Sequence, residues 1–85
     1  MQINRIMERS EVFEQVREIF IDVLDKEDIV LNDETTANEI EEWDSLAHIR
    51  LVVEIENKFK THFSSREIQS WENVGEMIDS ISSKI

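Results

Sequence analysis

The sequence predicts an all-α fold, a small four-helix bundle of three main helices and one short one, with a long loop between the first two. Three observations predict it. Apolar residues recur at helical spacing along most of the chain. Two pairs, Ser64 with Glu67 and Asn73 with Glu76, have the three-residue spacing that opens helices. The 85 residues contain no proline and one glycine, Gly75, so the turn chemistry of a sandwich or barrel is missing. The length allows one domain, residues 1–85.

In the stretch SEVFEQVREIFIDVLD from Ser10, the residues Val12, Phe13, Val16, Ile19, Phe20, Val23 and Leu24 fall on one stripe at 100° per residue. Ser10 reads as the N-cap, with Glu11 and Glu14 in the first turn, where the helix dipole favours acids. Ile3, Ile6 and Met7 do not continue that stripe, so residues 1–9 read as a tail or a loosely attached extra turn. Residues 25–44 carry no sustained periodicity and form the long connection. Ile29, Leu31 and Ile40 are spaced along it as anchors that would hold it, ordered, across the bundle.

The second helix runs from about Ser45 to Lys60. Its apolar residues divide into two sets. Leu51, Val52, Ile55 and Phe59 make a stripe for the core. Leu46, Ile49 and Val53 lie together on another face, and a bundle helix buries one stripe, so this set is expected to be at least partly exposed. A short helix follows from Ser64 to about Ser70. The last opens at Asn73, with Val74, Met77, Ile78, Ile81 and Ile85 on one face. Gly75 near its start reads as tolerated, at a cost of about 1 kcal/mol relative to alanine.

Lysine and arginine number 9 against 20 aspartates and glutamates, a net charge of −11. Phosphate backbones and anionic lipid surfaces would repel such a chain, so nucleic-acid binding is not expected and basic partners are. No apolar run approaches the roughly 18 residues of a membrane span, and no signal-peptide core is visible, so no membrane insertion is expected and a cytoplasmic location is. There is no cysteine, which excludes disulfides and thiolate metal sites. Between Asp22 and Asp44 ten acids face one cation, Lys26, but no glycine is present for the turn of a calcium loop, and no metal site is expected.

Asp44, Ser45 and His48 invite a hydrolase reading, because a serine and a histidine three residues apart are neighbours on a helix. A nucleophilic serine also needs a group that orients the base and an oxyanion hole. Asp44 is badly placed for the first and no glycine-rich turn supplies the second, so the protein is not expected to be an enzyme and His48 reads as a surface residue. Trp43 and Trp71 read as packing residues, Trp71 either closing the core or bordering a groove between the second and third helices. The most informative feature is Asp44-Ser45-Leu46, where the long loop meets the second helix. A serine there either caps the helix or presents its hydroxyl at the positive end of a helix dipole, ready for an attached phosphate.

The stretch WDSLAHIRLVVEIENKF after a long acidic loop resembles the acyl carrier protein family, the phosphopantetheine-binding carriers. The match takes in the helix at residues 10–24, the loop at 25–44, the Asp-Ser-Leu opening of a helix that ends at Phe59, the short helix at 64–70 and the Asn73-Val74 pair, and covers roughly residues 10–84. The resemblance implies that Ser45, between Asp44 and Leu46, carries 4′-phosphopantetheine taken from coenzyme A by a phosphopantetheinyl transferase. Acyl or aminoacyl groups would then ride on the arm as thioesters, and the protein, expected to be a monomer, would deliver them without catalysing. It further implies a recognition surface of Leu46, Ile49, Arg50, Val53, Glu54 and Glu56, and an acyl cavity bordered by Val52, Ile55, Phe59, Ile68 and Trp71. Ala47, His48 and Arg50 stand where the fatty-acid-synthesis carriers usually have acids, and Trp43 stands where they have a smaller residue. The expectation is therefore a specialised stand-alone carrier, loaded by a ligase or transferase of a dedicated pathway. The alternatives are a D-alanyl or other aminoacyl carrier served by an adenylating ligase, and a non-carrier acidic helical interaction module.

Overall fold

The computed structural model describes residues 7–85. They form four α-helices in the predicted order, α1 (Arg9–Leu24), α2 (Ser45–Phe59), α3 (Ser65–Ser70) and α4 (Val74–Lys84), with a 3₁₀ turn at Ala37–Glu39 inside the long loop. Most of the expectation for residues 1–9 lies outside the described residues; Met7 packs at the edge of the core and Arg9 already begins α1.

Helix α1 is capped two residues before the predicted Ser10. Glu8 is the N-cap, and its N–H donates to Glu11 Oε1 at 3.0 Å. Ser10 is exposed inside the helix. A glutamate is a rarer cap than a serine, which is why composition pointed to the wrong residue. Val12, Val16, Ile19, Phe20 and Leu24 are buried, while Phe13 and Val23 flank the stripe half-buried. Helix α1 packs against α2 and α4.

The long loop is ordered as its anchors predict, with Ile29, Leu31 and Ile40 all buried. Its backbone is tied to the start of α4: Val74 N–H donates to Thr35 O at 2.9 Å and Gly75 N–H to Asp33 O at 2.8 Å. Gly75 is therefore favoured by a close approach and not merely tolerated. A Cβ there would meet the Cβ and carbonyl oxygen of Asp33 at 3.0 Å. Arg9 fastens the same junction from α1, with Nε on Asp79 at 2.9 Å, Nη1 on Asp33 at 3.1 Å and Nη2 donating to Gly75 O at 3.2 Å.

Helices α3 and α4 open on the predicted caps. Ser64 Oγ accepts from Glu67 N–H, and Asn73 Oδ1 from Glu76 N–H. Ile85 departs from the expected face, being 42% exposed after the last helical residue, beyond the reach of the α4 stripe. No helix among the described residues is long and apolar enough to cross a membrane.

Candidate functional site

Trp43 fixes the entry to α2. It is buried, and its indole meets the Phe20 ring of α1 edge-on at 4.8 Å. The next residue, Asp44, is the N-cap: its Oδ1 accepts from Ala47 N–H at 2.8 Å, and its carbonyl accepts from His48 N–H. Ser45 is thus the first helical residue and not the cap, and it is exposed. Its hydroxyl and the N–H groups of Ser45 and Leu46 make no hydrogen bond to the described residues. An exposed hydroxyl beside two free amides at the positive end of a helix fits a phosphate ester.

The remaining predicted residues separate into three groups. Leu46, Ile49 and Val53 form an outward ridge, 68%, 60% and 47% exposed, with the i, i+3, i+7 spacing of one helix face. Arg50 and Glu54 are exposed on the side towards α1, beside Ile19, Asp22 and Val23. Glu56 does not belong to this surface. Its side chain is 19% exposed, and Oε2 accepts from Phe63 N–H at 2.9 Å and lies 3.3 Å from His62 Nδ1. It organises the turn between α2 and α3, where the chain reverses at Lys60.

His48 is not the surface residue its neighbourhood suggested. It is half-buried between two indoles, near-parallel to Trp43 at 6.0 Å and edge-on to Trp71 at 6.4 Å. Trp43 Nε1–H donates to His48 Nδ1 at 3.1 Å. An indole nitrogen can only donate, so Nδ1 carries no proton and the neutral ring holds its proton on Nε2. Burial pushes the imidazole pKa below its ordinary value. Trp71 in turn donates Nε1–H to Ser80 Oγ at 2.7 Å and meets Phe63 edge-on at 5.1 Å.

These rings border an open cleft of about 660 Å³, whose rim includes Ser45, Asn38, Ile49, Ile68 and Gln69. A smaller cavity of about 70 Å³ adjoins it, between Trp43, His48, Trp71 and Met77. Of the residues expected around an acyl cavity, Ile68 and Trp71 line the cleft, whereas Ile55 is fully packed and Val52 buried in a closed core. The cleft lies between the long loop, the start of α2 and α3. No spacing in α2 alone could reveal it. Asn38 and Gln69 went unremarked in the sequence, since isolated exposed amides carry no pattern.

A compact helical bundle that offers an exposed serine at the start of its second helix, with an acidic approach and an apolar ridge beside it, has the architecture of a carrier domain. The family model described as the phosphopantetheine attachment site matches residues 14–81. Among solved structures, the holo acyl carrier protein from Geobacter metallireducens, determined by solution NMR, is similar to this chain: 40% identical, with a TM-score of 0.81, covering 86% of this chain and 84% of that one. This chain belongs to the acyl carrier protein family of phosphopantetheine-binding proteins. It is a non-catalytic carrier with 4′-phosphopantetheine as its covalent cofactor. Neither a serine hydrolase nor a cofactor-free interaction module finds support in these matches.

Proposed function

We propose that Ser45 bears the phosphopantetheine arm and that the protein is a specialised stand-alone carrier working in the cytoplasm. The observation that carries this is the Ser45 hydroxyl, exposed at the first position of α2 with the amides of Ser45 and Leu46 free beside it. The arm, once attached, supplies the thiol that the chain lacks and holds acyl or aminoacyl groups as thioesters. The residues of the chain do the rest. Asp44 caps α2 and so holds the serine at the helix start. The two free amides and the helix dipole stabilise the phosphodiester charge.

Partner enzymes, the phosphopantetheinyl transferase and the acyl-processing enzymes, would dock on the Leu46, Ile49 and Val53 ridge. Exposed Glu41, Glu42 and Asp44 on the approach favour basic partner surfaces, which raises association rates more than lifetimes. Brief, repeated encounters suit a carrier. The specialised role is supported by the cation Arg50, exposed on a helix where the fatty-acid-synthesis carriers usually have acids. A dedicated pathway making a modified sugar, an envelope polymer or a secondary metabolite is the reading.

The test is to incubate the protein with coenzyme A, Mg²⁺ and a broad-specificity phosphopantetheinyl transferase and to weigh it. One added phosphopantetheine, absent in Ser45→Ala, is the expected result; an arm still added to that variant refutes the assignment. The specialised role fails if the malonyl transferase of fatty acid synthesis loads the holo protein as readily as it loads a housekeeping carrier.

A further inference from the structure

The acyl cavity that the family resemblance implies is closed in this chain. Phe20, Leu51, Ile55 and Ile78 are fully buried in one core cluster, so a hydrocarbon chain entering the bundle would have to displace packed side chains. The cleft beside Ser45 does continue inward, through the cavity of about 70 Å³ with which it shares Ala37, Trp43, His48 and Trp71. That cavity reaches Met77, which is buried in the core. An apolar cavity of about 150 Å³ admits benzene, so by the same measure this one has room for about three carbon atoms. Its lining is also polar. His48 contributes a ring whose Nε2–H has no acceptor among the described residues, and Glu72 and Asn73 border the same space. A methylene chain laid there would bury the imidazole donor without a partner.

We propose that Trp43, His48 and Trp71 plug the way into the bundle and so restrict the cargo to short or polar acyl groups, such as aminoacyl or hydroxyacyl groups, and exclude fatty chains. The inference deepens the carrier reading and rests on Ser45 bearing the arm. The plug resists widening at both walls. Trp43 donates its indole N–H to His48 at 3.1 Å and meets Phe20 edge-on at 4.8 Å. Trp71 donates its indole N–H to Ser80 Oγ at 2.7 Å and meets Phe63 edge-on at 5.1 Å. Swinging either indole aside breaks a hydrogen bond and a ring contact together. A fatty chain on the arm therefore stays outside the bundle, with its apolar surface in water. A short or polar group loses nothing by staying there, because it has little apolar surface to hide. Such cargo needs no shelter in the core, and this core offers none.

The test compares acetyl and octanoyl forms of the intact protein. They are made by giving a broad-specificity transferase acetyl- or octanoyl-coenzyme A, and mass spectrometry confirms one acyl arm per chain. Cleavage of each thioester by hydroxylamine is timed and divided by the rate for the same free acyl-coenzyme A. The two ratios are expected to agree within about twofold, whereas drawing two methylenes out of water would lower the octanoyl ratio roughly tenfold. An octanoyl ratio below that agreement, or a Met77 methyl signal that moves between the two forms in NMR, overturns the proposal. His48→Ala removes the donor and enlarges the passage, and is expected to drop the octanoyl ratio below the acetyl one. Trp71→Leu widens the other wall and serves if the first variant does not fold. A folded variant that shields octanoyl no better than the wild type overturns the plug. If no transferase adds an arm, the Ser45 assignment itself falls; if arms are added and octanoyl is shielded in the wild type, the carrier stands and the plug alone is lost.

Discussion

Gly75 N–H donates to the carbonyl oxygen of Asp33 at 2.8 Å, and a side chain on the glycine would stand 3.0 Å from that same oxygen. Helix propensity alone makes Gly75→Ala stabilising by about 1 kcal/mol. The obstacle is backbone, held in place by this bond and by that of Val74 to Thr35, so the loop cannot yield without giving up both. Overpacking of this kind costs about 1–3 kcal/mol. Urea unfolding should therefore show a net loss of up to about 2 kcal/mol. A variant more stable than the wild type would mean that the loop gives way freely.

Lys60 closes α2 with φ 52°, in the left-handed region. That conformation costs a residue with a Cβ about 1–2 kcal/mol, and glycine avoids it at the expense of some extra freedom in the unfolded chain. Lys60→Gly is expected to gain about 0.5–1 kcal/mol, read as a rise of a few degrees in Tm. An unchanged or lower Tm counts against it.

His48 gives the protein a pH dependence of definite sign. Burial lowers its pKa in the folded state from the ordinary 6.5, so the unfolded chain takes up the proton first. Stability is then full above that ordinary value and declines as pH falls through it towards the folded pKa. Asp44 and Glu72 are the carboxylates around the cleft and its adjoining cavity, and the direction of the shift is set by burial. Between pH 7.5 and 5.5 the wild type should lose more stability than His48→Phe. Parallel curves for the two would remove His48 as the cause. Glu67 adds a lower window of the same slope: the Ser64 backbone N–H, helped by Lys84, holds its pKa below the usual 4.5, so its contribution fades as pH falls below that value.

The outward ridge should separate folding from recognition. Val53 is 47% exposed and touches no buried network, so Val53→Ser is expected to change stability by no more than about 0.5 kcal/mol. Modification by the transferase should nevertheless slow, with the loss appearing in kcat/KM. A normal rate at normal stability would take Val53 out of the docking surface.

The helices were legible because their signals are local. The Ser64 and Asn73 caps and the stripes of α1 and α2 depend on neighbours within a turn or two. Exposure of Leu46, Ile49 and Val53 followed from counting faces. What escaped depends on contacts between distant segments. Gly75 needs Asp33, 42 residues earlier in the numbering, and nothing near Gly75 hints at that approach. His48 looked exposed because its burial comes from Trp43 before α2 and Trp71 after α3, which only the folded chain brings to either side of it. Glu56 looked like one more surface charge because the amide it accepts from, Phe63 N–H, lies past a chain reversal. The 3₁₀ turn at Ala37–Glu39 was too short for periodicity to show, although Thr36 and Glu39 carry a capping spacing.

The burial of Trp43 against Phe20 has a mechanical consequence. The residue two places before the serine is bolted into the first helix, as a crane's mast is bolted to its footing. The serine mount stays still, and the jib that swings is the attached arm. Each enzyme along an assembly line would meet the same rigid outline, whatever load hangs from it.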